Sequence, residues 1–286
     1  MNKQMEKAAL SAGKTSHTKI PGVLLSIILL ISITGIAGQA VQAQPPNIAR
    51  ESKLITVQDR RVKADTVKFP YSAVVKIKAT FKNGTVSLGS GALIGSDKVI
   101  TAEHVIYSPE NGGHAVSVEI LPGYNHGKTT CHPTKAKSWS HGAHQGCHDG
   151  ALCDVAVITT EDKVGCTTGW FGLKQYDSDS LANVNIAGYP DDLSSGEEMF
   201  VVKTEALTAD SGEHNLLSYR QWTYEGMSGG PIFTDDFYIV GVHHGAGDDT
   251  NYGVGLCSQL YASVKGWWSR GGGNYGNTTP DARGNR

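Results

Sequence analysis

Beyond the first fifty or so residues, apolar and polar positions fall in short strand-length runs: Ala73-Val74-Val75-Lys76-Ile77, Thr85-Val86-Ser87-Leu88, Val116-Ser117-Val118-Glu119-Ile120, Val184-Asn185-Ile186-Ala187 and Phe237-Tyr238-Ile239-Val240. Glycine, proline and asparagine punctuate them, which is the pattern of sandwiches and barrels rather than of alternating β and α units, and it predicts an all-β protein. Only Ser258 to Arg270 reads as helix, with Leu260, Tyr261, Val264 and Trp267 or Trp268 on one apolar face. The tryptophans there are expected to dock the helix rather than to touch a ligand. Residues 271–286 open with Gly271-Gly272-Gly273 and read as a flexible tail.

The start of the chain has a different pattern. Lys3, Lys7, Lys14 and Lys19 precede the apolar run Val23 to Ile31, and Val41-Gln42-Ala43 offers small residues for cleavage. We read residues 1–43 as a signal peptide cut after Ala43, which makes the product secreted, extracellular or periplasmic, with no stable membrane association afterwards. The apolar run falls short of the roughly 20 residues of a comfortable span. The long polar lead keeps a retained anchor as the alternative. Residues 44–53, Gln44 to Lys53, form a polar linker.

Composition narrows the class. A chain of 286 residues can bury one or two substantial cores, and 35 glycines favour a turn-rich β protein. The net charge of −2 gives no support to a nucleic-acid partner.

Three polar residues stand at the edges of strand-like runs. Gly226-Met227-Ser228-Gly229-Gly230-Pro231 holds a serine among glycines, which let the backbone turn and bring N–H groups against a substrate. His104 lies just past Val99-Ile100, and Asp154 directly precedes the β-branched run Val155 to Ile158. Together they suit nucleophilic catalysis by a serine, a base and an orienting acid. Asp149 is a rival acid, but Gly150 weakens the strand it would lead, so Asp154 is preferred.

The stretches Thr101-Ala102-Glu103-His104, Asp154-Val155-Ala156-Val157, Gly226 to Pro231 and Val240-Gly241-Val242-His243-His244-Gly245 resemble the chymotrypsin-like serine endopeptidases, and more narrowly their bacterial glutamyl endopeptidase branch. The resemblance covers roughly Leu54 to Arg270. It implies two antiparallel six-stranded β-barrels, residues 54–162 and 163–270 with the C-terminal helix, and an active site in the cleft between them. His104 and Asp154 would come from the first barrel and Ser228 from the second, with Gly226 and Ser228 N–H groups as the oxyanion hole. Trp222 stands six residues before the serine, where relatives that cut after Lys or Arg carry an aspartate. Thr223 and His243 match the positions that receive a substrate carboxylate in the glutamyl branch, which implies cleavage after Glu and less readily after Asp. A threonine hydroxyl and an imidazole charged near neutral pH suit that task. Residues 44–53 would be a pro-segment, and the amine freed at Leu54 would help bind the acidic substrate. Met227 replaces the aspartate that receives the new amine in many trypsin-like zymogens. The expected partners are protein or peptide substrates of a monomeric enzyme that needs no cofactor. An endopeptidase of other preference and an inactive binding protein on the same scaffold are the competing readings.

Five cysteines, Cys131, Cys147, Cys153, Cys166 and Cys257, fit an exported chain and leave one unpaired if two disulfides form; spacing does not say which. Val105 stands where many relatives have a cysteine after the histidine. Cys131, His132, His141, His144, Cys147 and His148 crowd one loop, but their spacing matches no standard zinc pattern, and no metal site is expected. Asn83-Gly84-Thr85 and Asn277-Thr278-Thr279 are sequons.

Overall fold

The computed structural model describes residues 58–141, 153–175, 183–204, 208–209, 216–246 and 250–270. The leader, Leu54, Asp149, Cys147, His144, His148, the second sequon and the tail lie outside them.

Six strands, β1 (Val74–Thr80), β2 (Val86–Leu93), β3 (Lys98–Thr101), β4 (Ser117–Pro122), β5 (Thr134–His141) and β6 (Ala156–Thr160), close a barrel in the order β1-β2-β3-β6-β5-β4. Strand β4 shows why: Val118, Ile120 and Pro122 point inward and are buried, while the residues between them are exposed or half-buried. Val75, Ile77, Leu93, Val99 and Ile158 complete that interior with almost no exposure. Lys76 is also buried. Its ammonium pairs with Glu197 at 2.8 Å and lies 4.5 Å from the Tyr124 ring, so the charge leaves water for a carboxylate and an aromatic face.

A second sheet is built from β7 (Val184–Gly188), β8 (Phe200–Thr204), β9 (Leu216–Tyr219), β10 (Pro231–Thr234), β11 (Tyr238–Ala246) and β12 (Asn251–Gly255). Their order is β8-β7-β10-β11-β12-β9, with the short pieces Val62–Lys63 and Thr208–Ala209 pairing at its two ends. Numbered from its own first strand, this is the connectivity of the first barrel, opened between the second and third strands. Both halves therefore repeat one strand plan.

The C-terminal helix spans Ser258–Ser269 and buries Leu260, Val264, Trp267 and Trp268, the face predicted from its periodicity. The strand predicted from Phe237 begins one residue later, because Phe237 has φ +66° and turns the chain before β11. The cysteine expectation needs correction. Cys131, Cys166 and Cys257 are free, which leaves at most one disulfide, at Cys153.

Candidate active site

Strand register brings the predicted residues to one end of each half. In the first barrel Thr101 pairs with Ala156, so the residues that follow Thr101 and those that precede Ala156 emerge side by side. His104 follows on a one-turn helix, α1 (Glu103–Ile106), anchored by buried Val105 and Ile106, and Asp154 stands two residues ahead of β6. In the second sheet Pro231 pairs with Val242, which sets Ser228 beside the pair His243 and His244.

The Asp154 carboxylate accepts from the His104 main-chain N–H through Oδ1 at 2.8 Å, and its Oδ2 lies 2.5 Å from His104 Nδ1. Burial alone would raise the pKa of this carboxyl, but hydrogen bonds from His104 and His244 outweigh it and hold the group far below the usual carboxylate range. An ionised Asp154 keeps the His104 proton on Nδ1 and leaves Nε2 with a free lone pair. The ring itself is 42% exposed, open enough for a substrate to reach it.

Ser228 and His104 line the same cavity of about 380 Å³, together with Gly89, Tyr189, Asp191, Glu225 and Gly226. The Ser228 hydroxyl donates its proton to the His244 carbonyl at 3.1 Å. The loop before it is held by the first barrel: Ser90 N–H donates to the Ser228 carbonyl at 2.8 Å, and Ser90 Oγ donates to the Gly226 carbonyl at 2.7 Å. Gly226 has φ +89°, and a Cβ there would fall 2.2 Å from the Tyr189 carbonyl oxygen, so only glycine fits. The N–H groups of Met227, Gly229 and Gly230 bond to Tyr224, His243 and Met227 carbonyls. Those of Gly226 and Ser228 have no acceptor among the described residues.

Met227 is fully buried in the second core beside Tyr219 and Ile232, so this position offers no carboxylate to a new amine. Trp222 is exposed. Thr223 is 8% exposed, and its hydroxyl is buried without a partner. His243 is 1% exposed, with Nδ1 bonded to the Tyr219 hydroxyl. Burial first, then the neighbouring His244 and His104, push its pKa down to about 3, so the ring is neutral near neutral pH rather than charged as the sequence suggested. Neither Thr223 nor His243 lines the cavity that His104 and Ser228 share.

Sequence reasoning missed His244, whose Nδ1 lies 2.6 Å from the same Asp154 oxygen that His104 contacts. The adjacent histidines were the available signal that imidazoles gather here, though not of the direction in which His244 points. His104, Asp154 and His244 are also the one grouping among the described residues whose donor atoms, all within 4.8 Å, could converge on a metal. Contacts of 2.5 and 2.6 Å to one oxygen are those of short hydrogen bonds. Donors held at about 2 Å by a tetrahedral zinc stand about 3 Å or more apart.

A model of the trypsin-like peptidase domain matches residues 89–242. A glutamyl endopeptidase of Bacillus licheniformis is 32% identical over 231 residues, covering 75% of this chain and 68% of its own. A protein named extracellular metalloprotease from Bacillus subtilis is 24% identical over 230 residues, 76% of this chain and 70% of its own. Among solved structures, a Glu endopeptidase superposes with a TM-score of 0.63 at 24% identity, covering 72% of this chain and 95% of that one. A protease from Arthrobacter nicotinovorans gives 0.60 at 21%, with coverage of 71% and 97%. The repeated strand plan, the domain match and the Bacillus licheniformis relative agree that this chain belongs to the trypsin-like peptidase domain family, the chymotrypsin-like serine proteases.

Proposed function

We propose that this chain is an exported serine endopeptidase that cleaves peptide bonds after Glu, less readily after Asp, with Ser228 as nucleophile, His104 as general base and acid, and Asp154 as the group that orients it. The observation that carries this reading is the Asp154–His104 pair facing a cavity shared with Ser228. His104 Nε2 takes the Ser228 proton as Oγ attacks the scissile carbonyl, then returns it to the leaving amine; water repeats the sequence to release the acyl group. For the first transfer the Ser228 hydroxyl turns from the His244 carbonyl to His104. The unpaired N–H groups of Gly226 and Ser228 receive the oxyanion, where loss of one donor costs roughly 3 to 4 kcal/mol.

Three features support the preference for Glu. Trp222 supplies no acid for a basic side chain. The Thr223 hydroxyl is buried without a partner, as a group reserved for a ligand would be. His243 has Nδ1 committed to Tyr219, so a substrate carboxylate would meet Nε2, and its negative charge would draw a proton onto a ring that rests neutral. The similarity to a glutamyl endopeptidase points the same way. Residues 1–43 serve as the export signal and 44–53 as a pro-segment, and the amine freed at Leu54 assists substrate binding.

The test is a mixed peptide library incubated with the purified mature chain. Cuts after Glu that vanish in Ser228→Ala support the reading. Cuts spread over apolar residues remove the Glu preference, and absence of Ser228-dependent cleavage removes the enzyme in favour of a binding protein.

A further inference from the structure

Strand β11 does not run in simple register with β12. His243 pairs with Gly253 and Gly245 pairs with Tyr252, so His244 is the extra residue of a β-bulge. A bulge turns a side chain away from the direction that strand alternation would impose. Here the His244 ring reaches the first barrel. Its Nδ1 lies 2.6 Å from Asp154 Oδ2, and the ring stands edge-on to His104, 88° apart with centroids 5.4 Å from each other. The main-chain carbonyl of the same residue accepts the Ser228 hydroxyl at 3.1 Å. One residue thus touches two of the three groups proposed for catalysis and stands against the third.

We propose that His244 is a positioning residue, whose ring shares the Asp154 carboxylate with His104 and whose carbonyl orients the Ser228 hydroxyl in the resting enzyme. The inference rests on the serine endopeptidase reading. Two imidazole N–H groups converging on one carboxylate oxygen fix both its rotamer and its ionisation, and Asp154 can then present a single orientation to His104. The groups that face the His244 ring are Asp154 from the segment before β6, His104 from α1 and His243 from its own strand. The bond to Asp154 raises the pKa of His244 above the ordinary histidine value, against a smaller opposing effect of burial.

Two substitutions separate the hydrogen bond from the charge. His244→Ala removes both, and kcat is expected to fall about tenfold with KM little changed. His244→Asn keeps a neutral donor near the Nδ1 position and is expected to recover most of kcat. Proton NMR gives a readout independent of turnover: the wild type should show two imidazole N–H resonances downfield of the amides, one of which His244→Asn removes. The idea is overturned by a His244→Ala variant with wild-type kcat, by an Asn variant no better than Ala, or by an NMR spectrum in which only one downfield resonance is ever present. Failure of the underlying reading looks different, since Ser228→Ala would then retain the wild-type rate or the wild type would have none.

Discussion

The Ser90 hydroxyl donates to the Gly226 carbonyl at 2.7 Å and accepts the Tyr189 N–H at 3.0 Å, so one buried side chain of the first barrel clamps two segments of the second sheet. Ser90→Ala leaves a half-buried carbonyl and a buried N–H unpaired and should destabilise the protein by about 1 to 3 kcal/mol. It should also lower kcat by roughly tenfold by loosening the Gly226 N–H. Thermal denaturation and steady-state kinetics on the same preparation check both; an unchanged kcat in a destabilised variant would show that the clamp does not set the geometry of the oxyanion donors.

Gly226→Ala forces a Cβ against the Tyr189 carbonyl at a positive φ. The loop must shift, and kcat/KM should drop by about a hundredfold or more, as expected when oxyanion donors are displaced. Titration with a serine-directed acylating reagent checks this through the acylation rate. A rate near wild type would mean that the Gly226 N–H is not needed.

His243 has a folded pKa near 3, below the roughly 6.5 of an unfolded histidine. Between these values the unfolded chain binds a proton that the native ring refuses, so this residue's contribution to stability is complete above about pH 6.5 and is lost as the pH falls towards 3. At pH 4 the loss amounts to up to about 3 kcal/mol. His243→Gln should flatten this part of the stability profile, measured by urea denaturation at pH 7 and pH 4. A wild-type profile that is already flat would show that the ring accepts its proton while folded.

The short contacts of Asp154 to both imidazoles are those of hydrogen bonds. Dialysis against EDTA should leave the hydrolysis rate unchanged. An activity lost on chelation and restored by zinc would assign the three residues to a metal instead.

Much of the fold was legible because each barrel strand is short, apolar on one side and closed by a turn former, and such signals are local. His104, Asp154 and Ser228 could be singled out for the same reason, since each sits at the end of such a run. Ser90 could not be, because its importance comes from a bond to Gly226, 136 positions away. The reach of His244 was hidden as well, since alternation along a strand assigns it a direction that the bulge then changes. The resting neutrality of His243 depends on complete burial beneath Tyr219, a property of packing rather than of any motif.

On the proposed reading, the repeated strand plan divides the reacting groups between two halves of the chain. The first barrel would own the base and the acid, and the second half the nucleophile. Neither half alone would then hold a complete set, so cleavage would require both to have folded.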